Sequence, residues 1–136
     1  MEKLTFDSSV KVFGINVKTF PAGIGAAFDE LISKTGDRAG ERNYYGISYL
    51  DSNGEVIYKA VAQEKMQGEA EKYGYPESKI EKGEYFFKTL KNWQTQTDCI
   101  KDIFHEMMLD ENADTTKPCV EWYKSDDEML CLVKAK

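Results

Sequence analysis

The chain has 136 residues, 41% of them hydrophobic and 31% charged, with a net charge of −6 and a pI near 4.9. That composition fits one globular domain with a single core. It argues against direct nucleic-acid binding, which needs a basic face, and leaves small neutral or cationic molecules as the better partners. The start, Met1-Glu2-Lys3-Leu4-Thr5-Phe6-Asp7, holds no apolar stretch of signal-peptide length, and no run reaches membrane-spanning length. A cytoplasmic protein with no membrane partner is expected. Cys99, Cys119 and Cys131 are odd in number and show no CxxC pair, so they are expected as reduced core residues rather than as a disulfide framework or zinc site.

Val10 to Phe20 reads as a strand broken by Pro21 and Gly23. Ile24, Ala27, Phe28, Leu31 and Ile32 then recur at helical spacing, and Gly36 supplies a C-terminal stop, which predicts one amphipathic helix. Tyr44 to Leu50 follows as a second strand, and Asp51-Ser52-Asn53-Gly54 is a hairpin turn into a third, Glu55 to Ala62. A polar connection rich in Glu, Lys and Gly separates this β-α-β-β unit, residues 10–62, from a second over residues 78–134. The second unit has a strand Lys82 to Leu90 and a helix near Thr97 to Leu109, with Ile100, Ile103, Phe104 and Met107 as its apolar stripe. Strands Cys119 to Tyr123 and Met129 to Val133 close it.

The halves align in places. Val17-Lys18-Thr19-Phe20 sits against Phe87-Lys88-Thr89-Leu90, Phe28, Leu31 and Ile32 against Ile100, Ile103 and Phe104, and Tyr49 against Tyr123, which puts Ile47 at the place of Glu121. This pattern reads as an internal duplication. Two such units most simply form one α+β domain, a single antiparallel sheet with two main helices packed on it and a pocket at the pseudo-twofold junction.

The segment Pro118-Cys119-Val120-Glu121-Trp122-Tyr123 puts one carboxylate among aromatics in a strand that reads as buried. A lone buried charge costs several kcal/mol, so it is kept where something pairs with it or where it works. Strand alternation sends Cys119, Glu121 and Tyr123 one way and Val120 and Trp122 the other, which makes Trp122 a core residue. By the same rule Tyr85 shares a face with Phe87, and Tyr45 with Ile47 and Tyr49. If these faces converge, they form an aromatic box around one carboxylate, with Trp93 closing a wall and its indole N–H seeking a partner. Such a box suits a flat or bulky organic cation. The blander readings are cross-strand packing for the tyrosines and, for Glu121, an exposed residue or one paired with a lysine.

Other patterns do not carry chemistry. Gly23-Ile24-Gly25 opens a helix, but Phe28 occupies the third glycine position of a dinucleotide loop. Asp51 to Glu55 begins like a calcium loop without the later ligands. His105 is the only histidine and has no second ligand nearby in sequence, so no metal, cofactor or Ser-His-Asp triad is expected. The acidic stretch Asp110 to Asp114 and the pair Asp126-Asp127 read as solvated loops.

The tandem β-α-β-β order, the passage Phe20-Pro21-Ala22-Gly23-Ile24, the segment Lys82-Gly83-Glu84-Tyr85, and Pro118 to Tyr123 followed by an acidic turn and closing strand resemble the GyrI-like effector-binding family over nearly the whole chain. That family includes ligand-sensing domains of AraC-type and MerR-type bacterial regulators, stand-alone binders, a gyrase-modulating protein and hydrolases of cyclopropane-bearing toxins. The resemblance implies that Glu121 lies at the bottom of an aromatic pocket. No DNA-binding helix-turn-helix precedes the domain, so only the sensing half is implied. The expectation is a stand-alone binder of hydrophobic or cationic organic ligands, with a role in transcription regulation or drug and toxin sensing. Its site would comprise Glu121, Tyr123, Tyr85, Phe87, Trp93, Tyr45 and Tyr49. The alternatives are a hydrolase of strained electrophiles using Glu121 as general acid or base, and a modulator that binds a regulator or topoisomerase through its acidic surface.

Overall fold

The computed structural model describes residues 1–18, 22–36 and 42–136. In chain order the elements are β1 (Glu2–Phe6), β2 (Val10–Asn16), α1 (Ile24–Thr35), β3 (Tyr44–Leu50), β4 (Val56–Gln63), α2 (Glu69–Tyr73), β5 (Glu77–Ile80), β6 (Gly83–Lys91), α3 (Ile100–Met108), β7 (Cys119–Tyr123) and β8 (Glu128–Lys134). The strands form one eight-stranded sheet in the order β1-β6-β8-β7-β3-β4-β2-β5, with every pairing antiparallel. This is the α+β architecture expected from the tandem units. The order is symmetric about the β3–β7 junction: β4 and β2 on one side answer β8 and β6 on the other.

The local reasons are those of the sequence. The apolar stripe of α1 buries Ala27 and Leu31, and the helix ends at Gly36, whose φ of 67° lets its N–H reach the Ile32 carbonyl. Phe104 and Met107 form the buried stripe of α3. The helices cover one face of the sheet. Ala27 and Leu31 pack on Phe13, Tyr58, Ala60 and Ala62, while Phe104 and Met107 pack on Phe86, Met129, Cys131 and Val133. The opposite face carries a third cluster built from Val12, Tyr45, Ile47, Val61, Tyr85, Val120 and Leu132, all buried without a helix over them. The sheet curls to cover this face itself, which is how residues from distant strands β2 and β6 share one core.

Several expectations need correction. The first predicted strand stops at Asn16; Val17 and Lys18 lie beyond it outside any strand, and Thr19 and Phe20, with Pro21, lie outside the described residues. The polar connection after β4 holds α2 and β5, and β1 precedes the first predicted strand. These strands were missed because they are short and polar on one side, so pairing rather than apolar run length makes them strands. They also cross over: β1 pairs with β6, and β5 pairs with β2. The helix expected from Thr97 starts with a 3-10 turn, Thr97–Cys99, before α3. Cys131 is buried and Cys119 half-buried, but Cys99 is exposed and no part of the core. Among the described residues no helix is long and apolar enough to cross a membrane.

Candidate functional site

The β3–β7 and β7–β8 ladders place Gly46 and Cys131 directly beside Glu121, on the face the helices cover. Glu121 is 8% exposed. Its Oε1 accepts a hydrogen bond of 2.6 Å from the Tyr58 hydroxyl on β4 and a second from the Tyr123 hydroxyl, and the two phenol oxygens lie 2.9 Å apart. No Lys or Arg among the described residues pairs with this carboxylate. Burial pushes its pKa up, and the two tyrosine hydrogen bonds oppose that rise. Tyr58 and Tyr123 are themselves pushed up by burial and by the neighbouring carboxylate, so both remain protonated donors.

Around this floor stand half-buried aromatic rings. The Tyr123 ring is met edge-on by Trp93, centroids 5.0 Å apart, and by Phe28 of α1, also at 5.0 Å. Phe28 in turn meets Tyr44 at 6.4 Å. Trp93 opens a 3-10 turn after β6, and its indole N–H donates to the Ser125 carbonyl at 3.1 Å, so the partner expected for it is present. Aromatic residues from three elements thus meet at the Tyr123 ring, whose hydroxyl reaches the buried anion, and each keeps part of its own surface open.

The structure brings together Glu121, Tyr123 and Trp93 of the seven residues singled out by sequence. Tyr45 and Tyr85, 1% and 3% exposed, lie on the other face of the sheet, and Phe87 packs against the same cluster. Tyr45 packs on Trp122 at 5.6 Å, and Phe6 bridges Tyr85 at 5.3 Å and Trp122 at 6.0 Å. Tyr49 is exposed near the β3–β4 turn with Lys59 over its ring. The faces do not converge, because odd and even positions of one sheet point opposite ways. The same parity corrects the repeat alignment. Tyr49 shares the face of Trp122 rather than that of Tyr123, so matching Tyr49 to Tyr123 and Ile47 to Glu121 slips by one residue.

Trp122 is half-buried against the third cluster, with its Nε1 buried and without a hydrogen-bond partner among the described residues and Lys124 stacked 4.0 Å over its ring. His105 lies exposed on α3. Among the described residues no group of three or more His, Cys, Asp or Glu gathers as a metal site.

Sequence reading missed Tyr58, Phe28 and Gly46. A signal existed for the last: glycine inside a strand marks close backbone approach. A Cβ on Gly46 would lie 1.9 Å from the Tyr58 hydroxyl oxygen and 2.8 Å from Glu121 Oε1. The absent side chain at position 46 is what admits the tyrosine to the carboxylate.

No protein-family model matches the chain, and no curated protein matches it in sequence. Solved structures do share its fold. SAV2435, solved bound to tetraphenylphosphonium, superposes with a TM-score of 0.65 at 13% identity, covering 99% of this chain and 93% of that one. A Staphylococcus aureus protein provisionally assigned to bacterial transcription regulation gives 0.63 at 10% identity, covering 99% and 97%. A hydrolase from Listeria innocua gives 0.63 at 14% identity, covering 99% and 90%. The chain is therefore similar in fold to proteins that include a binder of an organic cation, and its architecture is consistent with the GyrI-like one.

Proposed function

We propose that this protein is a small-molecule binding module for apolar organic cations, with Glu121 as the counter-charge and Phe28, Trp93 and Tyr123 as the walls, serving in the sensing of drug-like or toxin-like compounds or in transcription regulation. The observation that carries the reading is a buried carboxylate with two neutral donors, no cationic partner among the described residues, and half-open aromatic rings beside it. A charge so placed is costly in the free protein and is compensated when a cation enters. Ring faces add roughly 0.5–2 kcal/mol each where the cation is desolvated. The tetraphenylphosphonium bound by a protein of the same fold is a cation of this class.

Hydrolysis is the second reading, favoured by the raised pKa of Glu121 and by the Listeria hydrolase of like fold. Against it, the groups that touch Glu121 are phenols held in their protonated form, so no second base stands beside the carboxyl to share the proton transfers.

Calorimetric titration with tetraphenylphosphonium tests the proposal. Saturable binding is expected, weakened about tenfold or more, about 1.4 kcal/mol, in Glu121→Gln. Equal affinity in a folded variant would refute the assignment of Glu121. Catalytic loss of a strained electrophile that depends on Glu121 would favour the hydrolase. With no cation bound, the net charge of −6 would point to a protein partner instead, tested by competition with DNA.

A further inference from the structure

The two oxygens of Glu121 are unequally engaged. Oε1 accepts from both Tyr58 and Tyr123. A carboxylate oxygen offers two lone pairs, so Oε1 is filled. Oε2 accepts no hydrogen bond from any described residue. Position 46 fixes this inequality, since any side chain there would drive Tyr58 off Oε1. Both phenols stay protonated, and each hydroxyl lies nearer the charged Oε1 than the other phenol oxygen at 2.9 Å, so both hydrogens are directed at the carboxylate. The carboxylate therefore shows an incoming ligand one acceptor atom.

Resting on the cation-binding reading above, we propose that Glu121 selects its ligands by denticity: the site takes quaternary phosphonium and ammonium ions and rejects amidinium and guanidinium ions. An onium ion carries diffuse charge and no N–H group, so it needs only a nearby anion and aromatic faces. An amidinium or guanidinium presents two parallel N–H donors that match both oxygens of a carboxylate. Here one N–H would meet Oε2 while the other met an oxygen whose lone pairs are taken. That second donor would be buried without a partner, or would turn one tyrosine hydroxyl from the carboxylate to the other phenol oxygen, a neutral and weaker acceptor. Tyr58 and Tyr123 thus act as positioning residues that decide how much of the anion is on offer.

A matched pair of ligands tests this: benzyltrimethylammonium and benzamidinium, each with one phenyl ring and one positive charge, titrated into wild type, Glu121→Gln, Tyr123→Phe and the double variant Tyr58→Phe/Tyr123→Phe. The wild type is expected to bind benzyltrimethylammonium at least about tenfold more tightly than benzamidinium. The double variant, with Oε1 released, is expected to close or invert that ratio. The ratio is the readout because a change in Glu121 protonation weakens both cations alike and cancels. Should the double variant not fold, Tyr123→Phe, at a half-buried position, carries the test with a smaller shift in the same direction. Equal wild-type affinities that are both lost in Glu121→Gln overturn the denticity inference and leave the cation-binding reading standing. A ratio unchanged in the folded tyrosine variants overturns it as well. Failure of both ligands to bind wild type overturns both readings.

Discussion

Replacing Gly46 with alanine adds one methyl group, and the ladder geometry says where it goes. The new Cβ would sit 1.9 Å from the Tyr58 hydroxyl oxygen, 2.6 Å from the ring carbon that bears it and 2.8 Å from Glu121 Oε1. Real contacts do not fall below 3.0 Å, so the Tyr58 hydroxyl must retreat by more than about 1 Å. Tyr58 is 1% exposed and has little room to do so. Overpacking of this kind costs about 1–3 kcal/mol. Losing the hydrogen bond from Tyr58 to the carboxylate costs about 1.5–3 kcal/mol more. Alanine returns about 0.5–1 kcal/mol through its lower entropy in the unfolded chain. These terms overlap, and the net loss is about 2–4 kcal/mol.

At roughly 3–5 °C per kcal/mol for a domain of this length, the thermal midpoint should fall by roughly 6–20 °C. The assay is thermal unfolding by circular dichroism, paired with tetraphenylphosphonium titration of the folded variant, in which affinity should also fall. A midpoint within about 2 °C of wild type, with unchanged affinity, would show that Tyr58 does not depend on the missing side chain.

Further outcomes follow from the same geometry. Burial holds the Glu121 pKa above its unfolded value, so the folded chain keeps that proton to higher pH, and the group's contribution to stability falls as pH rises through the folded pKa. Ligand-free Glu121→Gln should therefore melt at or above wild type at neutral pH, with the difference shrinking toward acid; a deficit that grows with pH would contradict this. Glu69, 6% exposed and paired with Arg42 through two contacts of 2.9 Å, has its pKa lowered to about 2 by that guanidinium. Its stabilisation is present above the unfolded carboxyl value and is lost as pH falls through about 2. Glu69→Gln, which removes the charge that both Arg42 contacts address, should cost about 1.5–3 kcal/mol in urea titration at neutral pH and flatten the acid limb of the stability profile. Trp93→Ala should weaken tetraphenylphosphonium binding by about 2- to 30-fold. Tyr45→Phe, on the far face, should change it by less than about twofold; an equal loss in both would mean that the far face takes part in binding.

What the sequence made legible was what local patterns encode. The stripe Ile24, Ala27, Phe28, Leu31 marks α1, the Asp51 to Gly54 turn fixes the first hairpin, and alternation alone puts Glu121 and Tyr123 on one face. The strand Cys119–Tyr123 emerges with the boundaries expected for it. Hidden were the features set by register between distant segments. Tyr58 reaches Glu121 across 63 positions of sequence, and nothing in its own neighbourhood says so. Tyr45 and Tyr85 share a composition with site residues but differ in parity, and parity relative to another strand is known only once pairing is known.

The crossing of β1 to β6 and of β5 to β2 has a consequence for how the molecule can be cut. Each half of the chain lends the other an outer strand, so the two halves are clasped rather than merely abutted. A break after β4 would leave each fragment missing a strand at one rim and carrying an orphan strand with no local partner. Separate expression of either fragment should give an unfolded or sticky product with an open sheet edge, whereas the two mixed should reassemble. Pairing Glu2 with Phe87 also requires most of the chain to be present before the first strand finds its place, which makes β1 a late arrival in folding rather than its seed.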